Sequence, residues 1–188
     1  GNIQYKEIAI AVADYLKPLK MNVNYNYNSF VALGLHAGYQ LTGDTSYLNR
    51  SIINLRYGLA PGQLESGKWV DGHNAYNRYH NLIIANTINS INEMPEANLY
   101  YEEIASMIDL AIQNLVNHTN TCAASTGFRW LMAAYLLDSA ILSETTNEAV
   151  SNLIGRHINQ ADINGKYLDV PTIGQYLELL SLLPTPVN

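Results

Sequence analysis

A weak internal repeat of about 49 residues constrains this chain more than any other feature. Aligned without gaps from Asn28, Asn77, Thr126 and Gln175, the segments read NSFVALGLHAGYQL, NRYHNLIIANTINS, TGFRWLMAAYLLDS and QYLELLSLLPTPVN. The third position is large and apolar throughout: Phe30, Tyr79, Phe128 and Leu177. The sixth is Leu33, Leu82, Leu131 and Leu180. A fixed period of this size marks units that bury their apolar faces only against their neighbours.

Each unit reads as helix, short break, helix. In the first, Ser29–Leu41 is followed by Thr42-Gly43-Asp44-Thr45, in which glycine stops one helix and Asp or Thr caps the next. Ser46–Leu59 then carries Tyr47, Leu48, Ile52, Ile53 and Leu55 on its apolar side, and Pro61-Gly62 opens a long loop. The second unit spans Asn77–Asn92 and Leu99–Asn117, broken at Met94-Pro95-Glu96. The third spans Gly127–Leu142 and Glu148–Ile158, with a Thr-x-x-Glu capping box at Thr145 to Glu148. A helix at Tyr5–Leu19 precedes the array, with Ile8, Ala11, Val12, Tyr15 and Leu16 on one face. A last one, Ile173–Leu183, ends at Pro184. No segment reads as a strand. The fold expected is all-α: one domain over residues 1–188, built of αα-hairpins as an incomplete α/α toroid or short superhelix. Its end helices leave apolar faces open, to be covered by each other, by a longer ring or by a partner domain or subunit.

Charged residues make up only 14% of the 188, while there are 22 asparagines and 14 tyrosines. Amides and phenols on a surface suit neutral polar ligands such as sugars; a general low-charge composition explains them equally well. The net charge of −6 and the lack of a basic run argue against nucleic acid. No apolar run is long enough to span a membrane, and no signal-peptide pattern is legible. The single Cys122 forms no intrachain disulfide and reads as a small buried or loop residue.

The densest cluster of chemistry-bearing residues runs from Gly67 to His80. Trp69, Tyr76 and Tyr79 offer ring faces, His73 and His80 titrate near neutrality, and Arg78 can fork onto a carboxylate. The structural alternative is plain: Asp71 caps a helix, and Tyr79 occupies the recurring apolar position. His73 and His80 lie seven apart, a spacing poor for a shared metal, so no metal or cofactor is expected. The position after the recurring apolar one holds Val31, His80, Arg129 and Glu178, a column that is either a functional face or a solvated stripe. Gly67-Lys68-Trp69-Val70-Asp71 recurs as Gly165-Lys166-Tyr167-Leu168-Asp169, 98 positions on. No catalytic triad, phosphate loop or dinucleotide fingerprint occurs.

Three segments carry a family resemblance: Asn74-Ala75-Tyr76-Asn77-Arg78-Tyr79, then Ser125-Thr126-Gly127-Phe128-Arg129-Trp130, then Gly165 to Asp169 with Thr172-Ile173-Gly174-Gln175-Tyr176. In that order they resemble the α/α-toroid domain of carbohydrate-active enzymes, and most closely that of the hyaluronate and chondroitin lyases. The resemblance spans about Trp69 to Leu183. It implies a polysaccharide or oligosaccharide ligand in the concave face, and a periplasmic or secreted protein. It carries over Tyr176 as base or acid and Arg129 with Asn74 as holders of a uronate carboxylate. Phe128 stands near the family's catalytic Asn and Tyr167 where its catalytic His belongs, leaving His73 or His80 to supply an imidazole. The β-sandwich of such lyases has no counterpart in this sequence.

The sequence therefore supports two expectations. One is a carbohydrate-active domain, lyase-like or purely binding, in which Tyr176, His80 and Arg129 are catalytic. Trp69, His73, Asn74, Tyr76, Arg78 and Trp130 would then bind the substrate. The other is a non-catalytic helical domain that docks proteins through its end helices. The first requires Trp69, His80, Arg129 and Tyr176 in one groove; the second requires an apolar patch near a terminus.

Overall fold

The computed structural model describes residues 3–70, 77–91, 94, 99–118, 148 and 152; the side chains of 77, 78 and 115–118 lie outside that set. Among the described residues the chain is all-helical. Five α-helices run in the order α1 (Ile3–Leu16), α2 (Tyr25–Thr42), α3 (Thr45–Gly58), α4 (Asn77–Ile91) and α5 (Tyr101–His118). A 3₁₀ turn at Ala60–Gly62 follows α3, and a single β-bridge joins Gln63 to Trp69. No described helix is long and apolar enough to cross a membrane. The expected helices Gly127–Leu142 and Ile173–Leu183 lie outside the described residues. Positions 148 and 152, within the expected Glu148–Ile158, are helical.

Local chemistry explains the ends of these helices. Asn24 caps α2 by accepting the Asn26 N–H, and Asp44 caps α3 by accepting the Ser46 N–H at 2.8 Å. Between the two, Gly43 adopts φ +73° and returns its N–H to Tyr39 at 2.7 Å, ending α2 in a left-handed cap. The break between the first two hairpin helices thus forms as its residues dictate. α2 begins four residues before the expected Ser29, because Asn24 supplies the cap.

α2 packs against α1, α3 and α4, and α4 packs against α5. The main core joins Leu48, Ile52, Leu55 and Leu59 to Trp69, Ile83, Ile84, Ile88, Ile104, Ile108 and Ile112. Each large aliphatic chain buried there contributes about 1.5–3 kcal/mol of transfer free energy. The recurring Phe30 and Leu33 are not its deepest members: Phe30 is 44% exposed, and Leu33, Tyr79 and Leu82 are half-buried. Leu35 and Ile84, also one period apart, are the pair buried completely.

Polar bonds lock the helix contacts. Ser51 Oγ donates to the Ala32 carbonyl at 2.8 Å, tying α3 to α2. Asn86 Nδ2 donates to Ser29 Oγ at 3.1 Å, tying α4 to α2. Asn28 Nδ2 donates to the Gly58 and Asn22 carbonyls while its Oδ1 accepts the Asn22 N–H. A good part of the asparagine content is thus interior: Asn26, Asn28, Asn54, Asn81, Asn86 and Asn114 are all buried. This corrects the reading of asparagine as a surface feature alone. Buried amides are as a rule hydrogen-bonded; here Asn28 and Asn114 donate to helix-end and loop carbonyls, Asn54 bonds back to Arg50 within α3, and Asn86 bonds Ser29.

α1 buries Ala13 completely against the α2 backbone, where a Cβ on Gly38 would come within 2.5 Å of the Ala13 methyl. Its apolar stripe faces out, with Tyr5 71%, Ile8 54%, Val12 48% and Tyr15 69% exposed. Its C-terminal end is fastened to α3. The Tyr47 hydroxyl donates to Asp14, and Lys17 Nζ donates to Ser46 Oγ, both at 2.5 Å.

Gly67 provides a test of the loop after α3. It adopts φ +84°, and a Cβ there would lie 2.3 Å from the Leu110 carbonyl oxygen on α5. Gly43 has a similar φ of +73° with nothing within 4 Å. Gly43→Ala should cost about 1 kcal/mol, the conformational term alone, and Gly67→Ala about 3 kcal/mol because the loop must also lift from α5. Urea denaturation of the two variants measures the gap; equal losses would mean that Gly67 is not held against α5.

Candidate functional site

The segment from Gly62 to Val70 is a compact loop stitched into the helices. Leu64 N–H donates to the Lys68 carbonyl at 2.7 Å, Gly67 N–H to Leu64 at 2.8 Å and Val70 N–H to Gly62 at 2.9 Å. Gln63 Nε2 donates to the Met107 carbonyl at 2.9 Å, and Asn114 Nδ2 donates to the Ser66 carbonyl at 2.6 Å. The loop is thus pinned to α5 at two points.

Its aromatic residue turns inward. Trp69 is 1% exposed, and its indole N–H donates to the Leu59 carbonyl at 3.0 Å. His80, in the first turn of α4, is fully buried and meets the indole edge-on, with centroids 5.2 Å apart at 72°. His80 Nε2 lies 3.2 Å from the Ala111 carbonyl, which can only accept, so the ring is the Nε2–H tautomer. Nδ1 has no hydrogen-bond partner among the described residues. Burial is the main cause that lowers the imidazole pKa from 6.5 to about 4, outweighing the Ala111 carbonyl; Lys68 adds to the lowering. The structure therefore brings Trp69 and His80 together as a core pair. Neither presents a face or a proton-transfer atom to solvent, as a sugar platform or a catalytic base would have to.

Arg78 belongs to the first turn of α4, with its side chain outside the described residues. His73, Asn74, Tyr76, Arg129, Trp130 and Tyr176 lie outside the described residues. Tyr79 is half-buried, and Val31, one period before His80, is half-buried as well. The polar column expected to be either functional or solvated is at His80 an interior position.

A different group of side chains forms an open pocket of about 350 Å³. Asn49, Ile52, Ile53, Arg56 and Tyr57 of α3 line it together with Tyr100, just before α5. Arg56 makes contacts to both of its tyrosines. The guanidinium lies 3.7 Å from the Tyr100 ring centroid and 5.1 Å from that of Tyr57. Its Nε donates to Glu103 Oε2 at 2.9 Å, and Nη1 donates to the Tyr57 hydroxyl at 3.2 Å. Ile52 floors the pocket, Tyr57 is 58% exposed and Tyr100 37%. Ring faces, one amide and one oriented cation over an apolar floor are what small-ligand sites are made of, at the small end of their usual size range.

Sequence reasoning missed this pocket, although a signal existed. Arg56 ends one helix and Glu103 opens another, placements that complement the helix dipoles. They stand 47 residues apart, close to the repeat period, so stacked units would make them neighbours. No protein-family model, curated protein or solved structure matches this chain.

The depressed His80 pKa has a consequence for stability. The folded chain binds this proton more weakly, at about 4, than the unfolded chain does at 6.5. Stability from the neutral ring is therefore complete above about pH 6.5 and is lost as pH falls toward 4, by about 3 kcal/mol in all. His80→Gln should flatten that part of the profile, as read by urea denaturation at steps from pH 7.5 to 4.5. Parallel curves for the two proteins would mean that His80 is not held neutral by burial.

Proposed function

We propose that this chain is a carbohydrate-binding helical domain that holds its ligand at the Arg56–Tyr57–Tyr100 pocket. The observation that carries the reading is the exposed tyrosine pair flanking an oriented guanidinium above Ile52. A sugar ring presents a face of weakly positive C–H groups and a rim of hydroxyls. The former suit the negative face of a tyrosine; the latter suit Asn49 and the remaining guanidinium N–H groups. The toroid resemblance favours the same ligand class. An array of stacked αα-hairpins is the architecture we propose around the site. It is supported by hydrogen bonds that tie α3 and the loop after it to α5 between residues 44, 47 and 48 apart, close to the repeat period.

A second reading, protein–protein interaction, is favoured by α1. Tyr5, Ile8, Val12 and Tyr15 are all exposed at 3-4-3 spacing, the spacing of a helix–helix seam. The stripe reads aromatic, aliphatic, aliphatic, aromatic in either direction. A second copy of α1 laid antiparallel would therefore match Tyr5 with Tyr15 and Ile8 with Val12, as a twofold interface requires. Sedimentation at rising concentration should show a dimer that Ile8→Glu abolishes; a wild-type monomer throughout would exclude it.

Tyr57→Ala tests the first reading. Tyr57 is exposed, so its loss should leave thermal stability within a degree or two. It should lower affinity for a bound oligosaccharide about tenfold, measured by titration calorimetry. Unchanged affinity would remove the pocket from the binding surface.

A further inference from the structure

The ligand class can be narrowed, on the basis of the binding function just proposed, by asking what Arg56 has left to offer. An arginine that recognises a uronate must point an unmatched charge at the ligand, because the carboxylate is drawn by that charge and by the paired N–H fork. Arg56 is not in that state. Glu103 Oε2 sits 2.9 Å from Nε, and the Tyr57 hydroxyl accepts a hydrogen bond from Nη1 at 3.2 Å. The ring of Tyr100, 3.7 Å from the guanidinium carbon, covers a face of the group. A second carboxylate arriving here would face the first across one cation. The Glu103 side chain is 47% exposed and that of Arg56 21%, so the repulsion would be partly screened but real. The chain as a whole carries −6, which opposes the approach of a polyanion at long range.

We infer that the pocket selects neutral sugars, and that Glu103 is the residue that sets this specificity. It satisfies the charge of Arg56 and leaves the guanidinium as a flat, oriented donor of hydrogen bonds to hydroxyls. This departs from the acidic polysaccharide that the lyase resemblance implies. The bridge itself adds little to stability, as expected of a pair at the surface, so its role can be separated from folding.

The test uses the whole chain and named probes. Neutral hexasaccharides of glucose and of mannose, with β-1,4 linkages, are compared by titration calorimetry with hexa-galacturonate and hexa-guluronate. At least one neutral probe should bind, with affinity indifferent to salt, and both uronates should bind at least about tenfold more weakly. Glu103→Gln exposes the charge of Arg56 and should raise uronate affinity about tenfold in a salt-sensitive way, with the neutral ligand little changed. If the wild type prefers uronates, or Glu103→Gln leaves the ratio unmoved, the specificity claim is overturned while sugar binding stands. If neither class binds, or Tyr57→Ala leaves binding intact, the site itself is wrong and the specificity claim goes with it.

Discussion

The burial of Trp69 is the contact on which the described structure turns. The indole reaches from a loop into the core that α3, α4 and α5 share, donates to the carbonyl of Leu59, the residue that follows α3, and meets His80 of α4. Around it, Gln63 and Asn114 tie the same loop to α5. A loop of this length would ordinarily be mobile and would leave its backbone groups to water. Here the carbonyls of Ser66, Gly67 and Lys68 all accept hydrogen bonds from within the protein. The loop therefore acts as packed structure, and it sets where α5 lies relative to α3. The Arg56–Glu103 pair and the Tyr100 stack depend on that placement.

What was legible in the sequence follows from how local each signal is. Gly43 and Asp44 announce a stop and a cap by their own chemistry, and both do what their residue types predict. The apolar spacing of Tyr47, Leu48, Ile52 and Leu55 marks a face that is indeed buried, with Ile53 half-buried beside it. Trp69 and His80 resisted such reading because their meaning depends on direction. A Trp and a His beside a helix start serve a ligand if they point out and a core if they point in, and periodicity within a loop cannot decide. α1 shows the same ambiguity from the other side. Its regular apolar face is real, yet the face buried on α2 is the one marked by Ala13, because the close approach at Gly38 suits a small side chain. The pocket escaped notice because it exists only where α3 meets the start of α5.

The amide-rich composition also acquires a physical account. In most helical arrays charged side chains satisfy helix ends and loops at the surface. Here asparagines do so from inside: Asn28 serves the end of α3 and the turn before α2, Asn114 serves the loop after α3, and Asn86 bridges α4 to Ser29. A neutral amide can be buried at far lower cost than an ion, provided it is bonded on arrival. A chain that uses amides for these tasks needs few charges. Those it keeps can fix one element against another, as the Arg56–Glu103 and Lys17–Ser46 contacts show.

That economy of charge bears on chemistry as against binding. A lyase acting on a uronate must neutralise a carboxylate and draw off the proton beside it, which needs an unmatched cation and a base with access to substrate. In the described part of the chain, Arg56 is matched by Glu103, and the imidazole of His80 is enclosed and neutral. Both groups are held in the state that suits recognition or packing, and neither in the state that proton abstraction demands. The exposed rings of Tyr57 and Tyr100, by contrast, need no change of protonation to act, since stacking and hydroxyl bonds form as they stand. The binding reading proposed for the face of α3 and α5 therefore asks nothing of these groups beyond the state in which the structure holds them.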